Sequence, residues 1–73
     1  MKITYDPEAD ALYIEVRNVP ASDSADIEEG VTVDLDSDGH IIGLEALDAS
    51  SRLTPEELAN VHYENLLLIS ASQ

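Results

Sequence analysis

Apolar residues recur along this chain mainly at every second position, the period of a strand with one face against a core. The clearest stretch is residues 11–17, where Leu12, Ile14 and Val16 fall on one side of the pleat and Tyr13, Glu15 and Arg17 on the other. Before it, residues 3–5 read as a first strand. It is closed by Asp6, Pro7, Glu8, Ala9 and Asp10, whose Asp-Pro step favours a turn, so the two strands should form a hairpin. Pro20 and small polar residues make 18–23 a loop, and residues 24–28 read as a short edge strand ending near Gly30. Val31, Val33 and Leu35 then alternate with Thr32 and Asp34 up to the turn Asp36, Ser37, Asp38, Gly39, a second hairpin signal. The stretch 41–47 is apolar on both faces, which places it at the centre of the sheet, where both faces need cover.

The period changes at Thr54. Thr54 as N-cap, Pro55 at the first helical position and Glu57 three residues after the cap predict a helix opened by a capping box. Leu58, Val61 and His62 are expected to face the sheet, with the helix stopping near Tyr63. The short apolar run 66–69 fits a strand or a last helical turn, and the strand is favoured. Together these elements predict an α+β fold: a small antiparallel β-meander with one C-terminal helix packed on the sheet. The whole chain, 1–73, reads as a single domain, β-rich over 1–50, with a helix and a short apolar tail over 54–73.

Composition limits what such a domain can do. A chain of 73 residues with no Trp, Phe or Cys buries little of its unfolded surface, so a homodimer or a complex with another protein is expected. The absence of cysteine excludes disulfide frameworks, zinc ribbons and thiol nucleophiles. Acidic residues number 16 against 3 basic ones, a net charge of −13. Lys2, Arg17 and Arg52 cannot supply the cationic footprint that nucleic acid or an anionic membrane requires, so direct binding of either is excluded. The acidity fits a small basic protein partner, or general solvation of the kind seen in halophilic proteomes. The N-terminal stretch has no apolar segment of the signal-peptide kind, which leads to the expectation of a soluble cytoplasmic protein.

Candidate chemistry is sparse. Asp34, Asp36, Asp38, Gly39 and Glu45 match the spacing of a calcium loop, and Asp34, Asp36 and Asp38 are the candidate ligands for a divalent cation such as calcium or magnesium. The context is β rather than helical, so a hairpin turn in which Asp and Gly supply turn conformations is the favoured reading. His40 and His62 would be bases or ligands only beside carboxylates. Ser50 and Ser51 next to Asp48 lack a nucleophile elbow and read as capping groups. Asp6, Glu8 and Asp10 read as a solvated turn. No catalytic residue and no cofactor is expected, and the chain is expected not to be an enzyme.

Two segments carry a resemblance. Tyr5, Asp6, Pro7, Asp10 and Tyr13, together with Asp34, Asp36, Gly39, Gly43 and residues 45–49, resemble the hallmarks of the DUF2283 family, small prokaryotic proteins of unknown function, over about the first fifty residues. The resemblance implies a compact β-rich fold with a short helix and no established catalytic residues. It also implies an antitoxin-like role, since some relatives are encoded beside small basic proteins similar to RelE-type ribonucleases. The expected function is therefore a non-catalytic interaction module, with cation binding and a small enzyme of unknown reaction as alternatives.

Overall fold

The computed structural model describes residues 1–67, in which five strands form one antiparallel sheet followed by two short helices. The strands are β1 (Lys2–Asp6), β2 (Ala11–Glu15), β3 (Asp23–Glu28), β4 (Val31–Leu35) and β5 (Ile41–Leu47). Their order across the sheet is β1-β2-β5-β4-β3. β3, β4 and β5 are a meander, and β1 and β2 a hairpin whose second strand pairs with β5. The strand that is apolar on both faces thus occupies the centre, and the exposed, acid-bearing β3 forms an edge, as the pattern requires. The 16–22 loop carries the chain from β2 to β3 past the ends of β5 and β4, held by Val16 and Arg17 amides on the Ile42 carbonyl and the Ser22 amide on that of Leu35.

The turns are built by the residues that suggested them. In the β4–β5 turn the Asp36 carboxylate accepts the backbone N–H groups of Asp38 and His40, while Gly39 takes φ +83°, a conformation that costs glycine nothing. A bulge between β4 and β5 sets Asp34 opposite Gly43 but Leu35 opposite Ile41, so Ile42 is the extra residue, and it is buried.

The helices are α1 (Ala49–Arg52) and α2 (Pro55–Ala59). The capping box at Thr54 and Glu57 is present in both directions. α2 nevertheless ends at Ala59 rather than near Tyr63. Asn60 adopts extended backbone and its side-chain amide donates to the Glu56 carbonyl, the acceptor that the Asn60 N–H would have used had the helix continued. Val61 and His62 accordingly lie outside the helix and are exposed, and of the expected sheet-facing set only Leu58 is half-buried. In the run 66–69, where a strand was favoured, Leu66 and Leu67 are instead helical and exposed, and the remainder lies outside the described residues. Among the described residues the buried apolar side chains are Val31, Val33, Ile42 and Ala49, a small core for a domain of this length.

Candidate functional site

Pairing register sorts the strand side chains into two faces of opposite chemistry. Ile3 lies opposite Ile14, Ile14 opposite Leu44 and Leu44 opposite Val33; one step of two along the strands, Tyr5, Leu12, Ala46 and Val31 form the parallel row. This face carries the apolar set. The other carries Thr4, Tyr13, Glu45 and Thr32 in one row and Glu15, Gly43, Asp34 and Ser24 in the next. The apolar face is incompletely closed: Leu12, Ile14, Leu44 and Leu35 are half-buried, and Ile3 and Val16 are 37% and 44% exposed. After α2 the chain returns to the far end of β1, where Val61, His62 and Tyr63 line a shallow cleft with Met1, Ile3 and Val16.

The polar motif residues are bonded to one another. Asp6 accepts the amides of Glu8 (2.9 Å) and Ala9 (3.3 Å) and so shapes the β1–β2 turn. Asp10, at φ 52°, is the hub of a clasp: Tyr5 Oη donates to its Oδ1 at 2.7 Å, Ser50 Oγ to its Oδ2 at 2.6 Å, and the Ser50 amide to Oδ1 at 3.0 Å. The Ala49 amide donates to the Asp10 carbonyl, so the first turn and the start of α1 are tied across forty residues. These bonds from Ser50 first, then Tyr5, hold the Asp10 carboxyl below the usual carboxylate range, and the same contact raises the Tyr5 phenol. Ser50 thus serves as a cap for the hairpin, consistent with the reading of 48–52 as capping residues. The sequence left Asp10 in a solvated turn, because nothing local signals a partner so distant.

Tyr13 lies across Gly43 on the polar face. A Cβ built at 43 would collide with the Tyr13 hydroxyl and stand 2.8 Å from its Cζ, so the glycine leaves the room in which the ring rests. The phenol donates to Asp34 Oδ2 at 2.7 Å, which, with partial desolvation and the neighbouring Glu15 and Glu45, pushes its pKa up to about 12. Asp34 is committed to that bond. Asp36 is committed to the turn: its bonds from the His40 and Asp38 amides, with Arg17 Nη1 at 3.6 Å, hold its carboxyl below the usual range. Asp38 is exposed on the turn, and Glu45 sits on β5 opposite Tyr13 and Thr32. Among the described residues no group of three or more His, Asp or Glu side chains is disposed to hold a metal ion.

His40 is exposed beside the turn, and His62 Nε2 lies 3.2 Å from Glu64 Oε1 on the exposed return segment. His62 lines a shallow, open cleft with Glu56, Glu57 and Asn60. Arg52 acts structurally: Nε donates to the Leu47 carbonyl at 2.9 Å, Nη2 to the Glu29 carbonyl at 2.6 Å, and Nη1 to Glu28 Oε2 at 3.0 Å. It pins α1 over the β3–β4 turn, where Gly30 at φ 80° lets the guanidinium approach. Among the described residues the sheet presents two surfaces, one apolar and incompletely closed, the other bearing carboxylates.

A family model described as a protein of unknown function (DUF2283) matches residues 2–50, from the first residue of β1 to the serine that closes the Asp10 clasp. No curated protein and no solved structure matches the chain.

Proposed function

We propose that this chain, which belongs to the DUF2283 family of proteins of unknown function, is a non-catalytic protein–protein interaction module that docks through the apolar face of its sheet. The observation that carries this reading is the division of chemistry between the faces. The polar hallmark residues Tyr5, Asp6, Asp10, Tyr13, Asp34 and Asp36 are used in bonds within the fold. Ile3 and Val16, on the face that carries the core, are partly exposed in the cleft they line with Val61 and Tyr63. A surface of that kind binds by excluding water from apolar area, with hydrogen bonds and charges at the rim setting orientation.

The opposite face supports a second reading, neutralisation of a small basic protein such as a RelE-type ribonuclease. Glu15, Glu45 and Asp34 lie there within one patch of the sheet, and carboxylates of this density steer a cationic partner and mask its phosphate-binding surface. The two readings separate on one experiment: affinity purification of the tagged chain from its host, beside Ile3→Glu/Val16→Glu and Glu15→Gln/Glu45→Gln variants. The docking reading expects stoichiometric binding to be lost with the first pair and kept with the second. The opposite pattern, with salt-sensitive binding of a basic protein, would replace it by neutralisation. Binding indifferent to both pairs would refute both.

A further inference from the structure

We infer that the occupant of the apolar face is a second copy of this chain, laid face to face as a two-sheet sandwich; the inference rests on the docking reading above and names its partner. The first ground is area. The chain exposes 5707 Å², whereas a compact monomer of 7.9 kDa exposes about 4,400 Å² by the scaling of surface with mass. The surplus is about 1,300 Å², and a standard interface takes roughly 800 Å² from each partner. The shape agrees: the radius of gyration is 14.5 Å where about 11 Å is usual for this length, and the molecule is a slab of 43 × 35 × 18 Å.

The second ground is charge. Each copy carries −13, so any pairing must keep the carboxylates apart. A face-to-face arrangement does this. The central row of the apolar face, Ile3, Ile14 and Leu44 beside the buried Val33, contains no charged group; Asp23, opposite Leu35, and Glu28, opposite Val31, lie at the β3 edge of that face, and Glu15, Glu45 and Asp34 then point outward from both sides of the sandwich. Sheets packed this way stand about 10 Å apart, with twist setting their strands roughly 30° from parallel. A basic partner, by contrast, would be drawn to the carboxylate face and leave the apolar one wet. Closure by a second copy also accounts for a core that is thin in one chain, because the half-buried Leu12, Ile14 and Leu44 become interior residues of the pair.

The test is the mass of the full chain by sedimentation and native mass spectrometry, with binding of an apolar-surface dye measured in parallel. The expected species is a dimer of two 7.9 kDa chains. Ile3→Glu/Val16→Glu, at sites 37% and 44% exposed where a carboxylate reaches water in the monomer, is expected to raise the dissociation constant roughly 100-fold or more. Thr4→Glu, on the opposite face, is expected to change it less than about threefold. Because the chain has no cysteine, a single spin label at Glu45→Cys reads the geometry without touching the interface, with label separations beyond about 20 Å expected for outward faces. A dimer that survives the double substitution, or labels in close contact, would overturn face-to-face pairing. A folded wild-type monomer that binds the dye would overturn the second copy and leave the docking reading standing. A folded monomer that does not bind it would overturn both.

Discussion

Replacing Gly43 by Ala tests whether the polar face is held by the Tyr13 ring resting on bare backbone. Gly43 does not have positive φ, so the substitution introduces no backbone strain and would stabilise by about 0.4–1 kcal/mol through the unfolded state if the space were free. It is not free: the new methyl would overlap the Tyr13 hydroxyl, 2.8 Å from Cζ and 3.4 Å from the Ile14 carbonyl. The ring must lift, at an overpacking cost of about 1–3 kcal/mol, and its 2.7 Å bond to Asp34 is lost, about 1 kcal/mol more for a half-exposed pair. The balance is a loss of about 2 kcal/mol, or a fall in melting temperature of roughly 10 °C for a domain of this size. Urea unfolding followed by far-ultraviolet circular dichroism, at one fixed protein concentration, reads it directly. In a Tyr13→Ala background the collision disappears, so Gly43→Ala should become neutral or stabilising there, a coupling of about 2 kcal/mol. The same cost in both backgrounds would refute the reasoning.

The remaining expectations concern protons, the Arg52 brace and salt. Tyr13 ionises at about 12, above its ordinary 10.0, so its contribution is complete below pH 10 and is lost as pH rises from 10 to about 12. Phenolate absorbance of a Tyr5→Phe/Tyr63→Phe chain reads this group alone, and a midpoint near 10 would contradict the Asp34 bond. The carboxyls of Asp10, Asp36 and Glu57 are all lowered, so each stabilises above the ordinary carboxyl range and the gain disappears as pH falls through its lowered value. Melting temperature should therefore drop below about pH 4, and less steeply in Asp10→Asn, which tolerates the left-handed backbone; equal slopes would count against the clasp. Arg52→Gln should speed amide exchange at Leu53 while leaving the β1–β2 hairpin unchanged. Added salt should tighten the dimer, since it screens two chains of −13, whereas salt would weaken capture of a basic partner.

Much of the sheet was legible because its signals are local. Alternation placed β2 and β4, and the two-sided apolarity of Ile41–Leu47 gave β5 the central position. The Thr54 box likewise specified where α2 begins. Its end was not legible, since it depends on whether the Asn60 side chain takes the Glu56 carbonyl, a competition that periodicity does not report. Nor was the strand order, because β2 pairs with β5 rather than with the next strand in sequence. The site was read least well. The clasp of Asp10 with Ser50 and the rest of Tyr13 on Gly43 join residues far apart in sequence, and each hallmark residue alone looks like turn or strand composition. The division into an apolar and a carboxylate face could be anticipated for β2, but only the register extends it across β1, β2, β5 and β4; on the edge strand β3 it breaks down, since Asp23 lies opposite Leu35 and Glu28 opposite Val31.

Methyl relaxation by a soluble paramagnetic probe tests the central claim, that the apolar face is the docking surface, most directly. Val16 on that face and Leu47 on the other are 44% and 43% exposed in the chain alone, so they form a matched pair. The account expects Val16, with Ile3, to be shielded from the probe while Leu47 relaxes as an exposed methyl. Equal relaxation of Val16 and Leu47, in a folded sample concentrated enough to associate, would contradict it.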